Sequence, residues 1–71
     1  MKPEVFKAWR KKYRMTQTHV GKLLGGITKR TIVNWEIGRP IDPTAVTAIG
    51  WFELLPEETR LELVEEARPR K

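Results

Sequence analysis

Prolines and glycines divide this 71-residue chain into five short segments, and this punctuation constrains the fold more than any other feature of the sequence. Proline favours the first turn of a helix, whereas glycine favours the position just past its end. Each segment has the length of one short helix, and the alternating β-branched or aromatic runs of strands are missing. The sequence therefore predicts an all-α domain of five short helices.

The spacing of apolar residues defines the first helix. Pro3 lies at its start, and the helix is expected to run to about Tyr13. Val5, Phe6, Trp9 and Tyr13 follow the helical period and are predicted to form one apolar face. That face needs a partner, so the first helix is expected to pack against the others.

Threonines mark the starts of the next two helices. Thr16 can cap the second helix, which Gly25-Gly26 ends, and Thr28 can cap a third that runs to about Glu36. Only three or four residues, two of them glycines, separate these helices. A short glycine-containing connection is typical of a helix-turn-helix.

The last two helices are predicted from the start signals Asp42-Pro43 and Pro56. Their predicted inward residues are Ala45, Val46, Ala48, Ile49, Phe52 and Leu55 in the fourth helix, and Leu61, Val64 and Ala67 in the fifth. The chain is thus expected to be a single domain over residues 1–67, with residues 68–71 as a frayed basic tail.

Charge is divided unevenly along the chain. Residues 1–39 hold ten Lys and Arg against Glu4 and Glu36, whereas residues 40–71 hold four against seven Asp and Glu. An electropositive front with a mildly acidic rear indicates a polyanion bound on one side. DNA, RNA and an anionic membrane surface all fit the charge alone.

Several classes of function are unlikely for this composition. A chain of this length can bury one modest core but hardly a deep substrate cleft as well, so an enzyme is not expected. Without cysteine, and with His19 as its only histidine, the chain predicts no metal site and no cofactor. His19 is interpreted as an exposed or half-exposed bystander. No stretch predicts a membrane span or a signal peptide, so a cytoplasmic location is expected.

The third helix separates into an inward and a projecting face. At about 100° per residue, Trp35 lies near Ile32, whereas Arg30 and Asn34 lie opposite. The neighbours of Arg30 and Asn34 on the projecting side are Lys29, Thr31 and Val33. Arginine can donate two hydrogen bonds to guanine, and asparagine can pair with adenine. This face therefore favours the reading of base edges.

Further residues extend this pattern along about two thirds of the chain. In order they are Arg10, Met15-Thr16-Gln17, Val20-Gly21, Leu24-Gly25, Ile32, Trp35-Glu36 and Gly38. Together they resemble the Cro/repressor-type helix-turn-helix family, which is XRE-like and lambda-repressor-like. The resemblance implies that the third helix lies in the major groove of DNA and that the start of the second abuts the DNA backbone.

The resemblance also implies roles for particular residues. The implied DNA-binding set is Gln17, Thr28, Lys29, Arg30, Thr31, Asn34 and Arg39. Within it, Gln17 would lie near a phosphate or the adjacent base edge, and Arg39 would hold a phosphate. Arg10 and Glu36 would form a structural ion pair that fixes the first helix against the reading helix.

Three positions depart from the family's usual pattern. Gly21 stands where alanine is usual and is expected to loosen the second helix slightly without changing the packing. The turn Gly25-Gly26-Ile27 is one residue longer than the commonest form, which leaves the register of the reading helix open. Arg14 stands where glycine is frequent, and a left-handed backbone there would cost energy.

The predicted function is a DNA-binding regulator. Sequence-specific binding of double-stranded DNA is expected, with a homodimer acting as a repressor on an inverted-repeat operator in the cytoplasm of a prokaryotic or phage-infected cell. The predicted dimer interface consists of Trp51, Leu54, Leu63 and Ala67, rimmed by Glu57, Glu58, Glu62, Glu65 and Glu66, whereas Trp9 and Trp35 are expected in the core. The alternatives are a regulator of phage or mobile-element origin, an antitoxin that also holds a protein partner, and a pure protein-interaction module.

Overall fold

A computed structural model describes residues 1–69 and contains five α-helices, with no β-strand within that range. In order they are α1 (Pro3–Lys12), α2 (Gln17–Leu23), α3 (Lys29–Glu36), α4 (Pro43–Glu53) and α5 (Glu57–Glu66). The predicted all-α class and the number of helices are confirmed. No helix among these residues is both long and apolar enough to cross a bilayer.

The predicted tail, residues 68–71, lies partly outside the described residues, which exclude Arg70 and Lys71. Arg68 is described, and its guanidinium pairs with the Glu65 carboxylate at 2.8 Å.

Polar side chains and prolines start four of the five helices as the sequence predicts. The side chains of Thr16 and Thr28 each accept a hydrogen bond from the backbone amide three residues on. Asp42 accepts one from the amide two residues on, at 2.8 Å. Pro3 and Pro43 lie in the first turns of α1 and α4. These contacts satisfy amides that have no acceptor within their own helix.

Three helices end in the same hydrogen-bonded turn, in which one residue has a positive φ. That residue is Arg14 after α1 (φ 55°), Gly25 after α2 (φ 101°) and Gly38 after α3 (φ 115°). Its amide and the next one bond back to carbonyls of the last turn, the Schellman arrangement. The backbone at Arg14 is therefore left-handed. It costs about 1–2 kcal/mol relative to glycine.

The core lies between all five helices, with α1, α3 and α4 contributing most of it and α2 and α5 one residue each. Its buried apolar residues are Phe6, Trp9, Met15, Val20, Ile32, Trp35, Ala45, Ile49, Phe52 and Val64. Phe6 meets Trp35 edge-on, with ring centroids 5.7 Å apart, and Trp9 meets Phe52 in the same way at 5.7 Å. The predictions that Trp9 and Trp35 lie in the core are confirmed.

The predicted inward position of Val5 is wrong, because this side chain is 51% exposed. Phe6 and Trp9 set the inward face of α1, and Val5 lies about 100° from Phe6 on the far side of Trp9. Arg10 takes the remaining inward position and is buried.

The face of α5 also differs from the prediction. Val64 is buried as expected, but Leu61 is 49% exposed, whereas Leu63 packs against the core and Ala67 is half-buried. The cause is Arg60, which lies on the same side of α5 as Leu63 and Val64 and hydrogen-bonds to side chains of α1 and α4. With Arg60 facing inward, Leu61 faces outward.

A polar network around Glu53 joins α1, α4 and α5. The Tyr13 hydroxyl donates to Glu53 Oε2 at 2.6 Å, and Arg60 Nη1 donates to the same hydroxyl at 2.8 Å. The hydrogen bond from Tyr13 lowers the pKa of the Glu53 carboxyl, burial opposes it, and the nearby charge of Lys12 and hydrogen bond from Arg60 lower it further. The net effect holds Glu53 ionised and ties α5 to the rest of the domain.

The interpretation of His19 as an exposed bystander is wrong. The side chain is 2% exposed, and its Nε2–H donates to the backbone carbonyl of Val64. Val64 lies in the last turn of α5, where carbonyls have no partner within the helix. His19 thus satisfies one of these carbonyls and ties α2 to the end of α5.

The expectation that Gly21 only loosens α2 is also wrong. A Cβ atom at this position would lie 2.1 Å from the carbonyl oxygen of Ile27, far closer than any real contact. The turn after α2 folds back over Gly21, whose carbonyl accepts hydrogen bonds from the amides of Gly26 (3.0 Å) and Ile27 (2.9 Å). The longer turn therefore requires glycine here.

Candidate nucleic-acid interface

Helix α3 presents one face to the core and the opposite face to solvent. Ile32 and Trp35 are buried, whereas Lys29 and Arg30 are exposed and Asn34 is half-buried. Thr31 and Val33 flank this outer face and are half-buried. The division follows the 100° spacing used in the sequence analysis. Arg30 and Asn34, one turn apart, thus lie on a single outward side of the helix.

The start of α3 is fixed by two threonines. Thr28 Oγ1 accepts a hydrogen bond from the Thr31 amide and lies 3.1 Å from Thr31 Oγ1. The two hydroxyls are therefore partners of each other, with Thr28 as the cap. This arrangement holds the first turn, which carries Lys29 and Arg30.

An ion pair holds α3 against α1, with the residues that the sequence assigns to it. Arg10 Nε lies 2.7 Å from Glu36 Oε2, and Arg10 Nη2 donates to Glu36 Oε1 at 3.0 Å. Arg10 Nη1 also donates to the carbonyl of Met15 at 2.9 Å. This two-pronged geometry is the strongest form of the arginine–carboxylate contact.

Gln17 joins this pair, which sequence reasoning missed. Its Nε2 donates to Glu36 Oε1 at 3.3 Å, and the side chain is half-buried. The predicted DNA-contacting residue at the start of α2 is therefore also a link between α2 and α3. Gln17 and Glu36 are 19 residues apart on different helices, so no spacing in the sequence indicates this contact.

The charge state of Glu36 follows from the same contacts. Burial raises the pKa of its carboxyl, but the hydrogen bonds from Arg10 and Gln17 and the charges of Arg10 and Lys7 together bring the pKa below its ordinary value. Glu36 is thus a carboxylate at neutral pH, and its charge is matched by Arg10. Partners from α1 and α2 thus hold the C-terminal end of α3.

Most cations of the first 39 residues have no acidic partner. Among the residues that the structure describes, only Arg10 and Lys12 of this set lie within 4 Å of a carboxylate. The remaining eight are all exposed: Lys2, Lys7, Lys11, Arg14, Lys22, Lys29, Arg30 and Arg39. They leave the surface of α1–α3 strongly positive, as a polyanion-binding surface requires.

Arg39 lies just beyond the end of α3. Its amide donates to the Asn34 carbonyl at 3.0 Å, which completes the turn begun by Gly38. The backbone of Arg39 is therefore fixed relative to α3, while its side chain is exposed. Four of the predicted DNA-binding residues thus lie on one helix and the turn that follows it: Lys29, Arg30, Asn34 and Arg39.

The predicted dimer residues are separated into two kinds by the structure. Trp51 and Leu54 are 70% and 82% exposed, whereas Leu63 packs against the core and Ala67 is half-buried. Only the first two form an exposed apolar surface.

Within residues 1–69 no group of three or more His, Asp or Glu side chains is placed to hold a metal ion. Comparisons of the chain with protein-family models, with curated proteins and with solved structures find no match.

Proposed function

We propose that this protein binds double-stranded DNA sequence-specifically and regulates transcription as a repressor homodimer on an inverted-repeat operator. The observation that carries the proposal is the outer face of α3. It presents Arg30 and Asn34 on a helix whose inner side is fixed by a buried ion pair, within a surface of unpaired cations. A rigid helix with these side chains suits the major groove.

The proposed interface makes two kinds of contact, one with base edges and one with phosphates. The guanidinium of Arg30 suits guanine O6 and N7, and the amide of Asn34 suits adenine N6 and N7. Cations around the helix, such as Arg14, Lys22 and Arg39, suit phosphates, which position the protein without reading sequence. Affinity then depends steeply on salt because bound cations release counterions from DNA.

Repression follows from occupancy. Two reading helices about 34 Å apart would enter successive major grooves on one side of the duplex. A dimer bound over a promoter would exclude polymerase.

Substitution of the arginines separates base reading from phosphate binding. Arg30→Ala should cost about 1–3 kcal/mol on the best site and relax the preference at one or two base pairs, whereas Arg39→Ala should weaken binding to all sequences alike. Titrations of specific and random duplexes measure both effects. Arg68→Ala, which removes an exposed cation that pairs with Glu65 and lies outside this positive surface, is the control. Equal losses for Arg30→Ala and Arg39→Ala on the two duplexes would contradict the assignment.

Arg14 is expected to lower the stability of the fold and to raise the affinity for DNA. Arg14→Gly should raise the free energy of unfolding by about 1 kcal/mol, because glycine adopts φ 55° without strain. The same change should weaken binding to specific and random DNA, since it removes an exposed cation before α2. Arg14→Lys keeps both the strain and the charge and should retain affinity. Unchanged affinity in Arg14→Gly, measured beside urea unfolding, would show that the side chain has no part in binding.

A further inference from the structure

Helix α4 has a second face that the domain does not use. Thr47, Gly50, Trp51 and Leu54 recur at the helical spacing i, i+3, i+4, i+7, and all four are exposed. No charged residue lies between Asp42 and Glu53, although 32% of the chain is charged. An uncharged outward stripe with a tryptophan and a leucine is typical of a surface that another molecule covers.

Gly50 lies in the middle of this stripe, and no contact among the described residues requires a glycine there. Its φ is not positive, and a Cβ atom there would meet no atom within 4 Å. Glycine in a helix interior costs about 1 kcal/mol relative to alanine. Gly21 differs, because the turn over it fills the space of a side chain. What Gly50 provides is room for a second backbone to approach α4 closely.

An apolar groove of about 260 Å³ runs beside the stripe. Leu24, Leu55 and Leu63 lie in its walls, and Trp51 lines it as well. Trp51 is thus both part of the protruding stripe and one side of the groove. A ridge and a groove side by side on one surface are self-complementary, which a two-fold contact between identical chains requires.

The self-complementary shape fits a second copy of this chain, and charge favours α4 as the surface through which two copies meet. The net charge of +5 makes copies repel each other, and the unpaired cations among the described residues lie in residues 1–39. A contact through α4 brings together uncharged surfaces and leaves the positive surface free for DNA. We propose that α4 packs against α4 of a second copy about a two-fold axis near Gly50, with Trp51 and Leu54 of each copy seated in the other's groove.

This inference deepens the proposed function, which calls for a dimer, and it changes the predicted interface. In the proposed interface Leu63 lines the groove and does not protrude, and Ala67 is not included. Gly50 is added as the point where the two helices approach most closely. The dimer can be measured without DNA, so the two proposals fail separately.

Sedimentation of the full chain over the micromolar range, with tryptophan fluorescence, tests the interface. The wild type should dimerise, and its emission should shift to the blue with concentration as Trp51 becomes buried. Leu54→Glu should weaken the dimer by about tenfold or more, because it places a charge in an apolar contact. Gly50→Ala should weaken the dimer while raising the stability of the monomer. Leu61→Glu, an exposed leucine on α5, is the matched control and should leave dimerisation unchanged.

Two results would overturn the inference. One is a wild type that stays monomeric with and without DNA, and the other is a Gly50→Ala or Leu54→Glu variant that dimerises as tightly as the wild type. A monomer that still selects one DNA half-site would remove this interface and leave the DNA-binding proposal standing. A dimer that responds to these variants as expected but binds all DNA sequences alike would support this interface and contradict the DNA-binding proposal.

Discussion

Arg10→Met should lower the free energy of unfolding by about 3–5 kcal/mol, the usual cost of leaving one partner of a buried ion pair alone. The Glu36 side chain is only 6% exposed and would keep a charge without its main partner. The carbonyl of Met15 would also lose its donor. A domain of this length is stable by about 4–10 kcal/mol, so the loss should remove a large share of the total and shift urea unfolding to clearly lower concentrations.

A double variant distinguishes the stranded charge from lost packing. Arg10→Met/Glu36→Met removes both charges and should recover much of the loss, because two apolar side chains of similar length can replace a buried pair. Urea unfolding followed by far-ultraviolet circular dichroism measures all three proteins. A loss below about 1 kcal/mol in Arg10→Met would mean that the pair behaves as an exposed one and does not fix α3.

Gly21→Ala should lower the free energy of unfolding by about 3 kcal/mol, the upper part of the range for overpacking, because the atom in the way belongs to the backbone. The methyl group would lie 2.1 Å from the carbonyl oxygen of Ile27, so the turn before α3 must move. Since that turn sets the start of α3, the proposed sequence-specific binding of DNA should weaken as well.

Gly50→Ala is the matched control for this prediction, since it makes the same change in the middle of another helix. Its methyl group would enter open space, so the monomer should gain up to about 1 kcal/mol from helix propensity. Urea unfolding at a concentration where the chain is monomeric compares the two. Two gains would mean that helix propensity alone decides both, and two losses would mean that Gly50 has a role within the monomer, so either result would contradict the account.

Local signals predicted most of the fold. The caps at Thr16, Thr28 and Asp42 and the proline at the start of α4 are properties of a few neighbouring residues, and the structure places helix starts there. The inward positions of Phe6, Trp9, Ile32 and Trp35 follow from the helical period. Such features depend little on the rest of the chain.

The features that the sequence did not reveal depend on contacts between distant segments. His19 is buried because a carbonyl 45 residues further on lacks a partner, and no periodicity indicates that. Leu61 is exposed because Arg60, its neighbour on α5, faces inward and hydrogen-bonds to Tyr13 and Glu53. The apolar arc of α5 is wide, so the apolar pattern alone does not decide which of its leucines faces inward. Gly21 is required by the path of a turn.

The candidate site shows the same division. The outer face of α3 could be placed from the spacing of Ile32, Trp35, Arg30 and Asn34, because one helix contains them all. The contact of Gln17 with Glu36 joins two helices and could not. This contact gives Gln17 a structural part beside its proposed place at the DNA backbone.

Selection from a random pool of duplex DNA, with sequencing of the bound fraction at two salt concentrations, tests the central claim most directly. The account predicts an enriched inverted repeat with half-sites about 10 base pairs apart, from which Arg30→Ala loses discrimination at particular positions. A single enriched half-site would retain the reading helix without the dimer. Salt-sensitive binding with no enriched sequence would contradict the claim, because the positive surface would then bind charge alone.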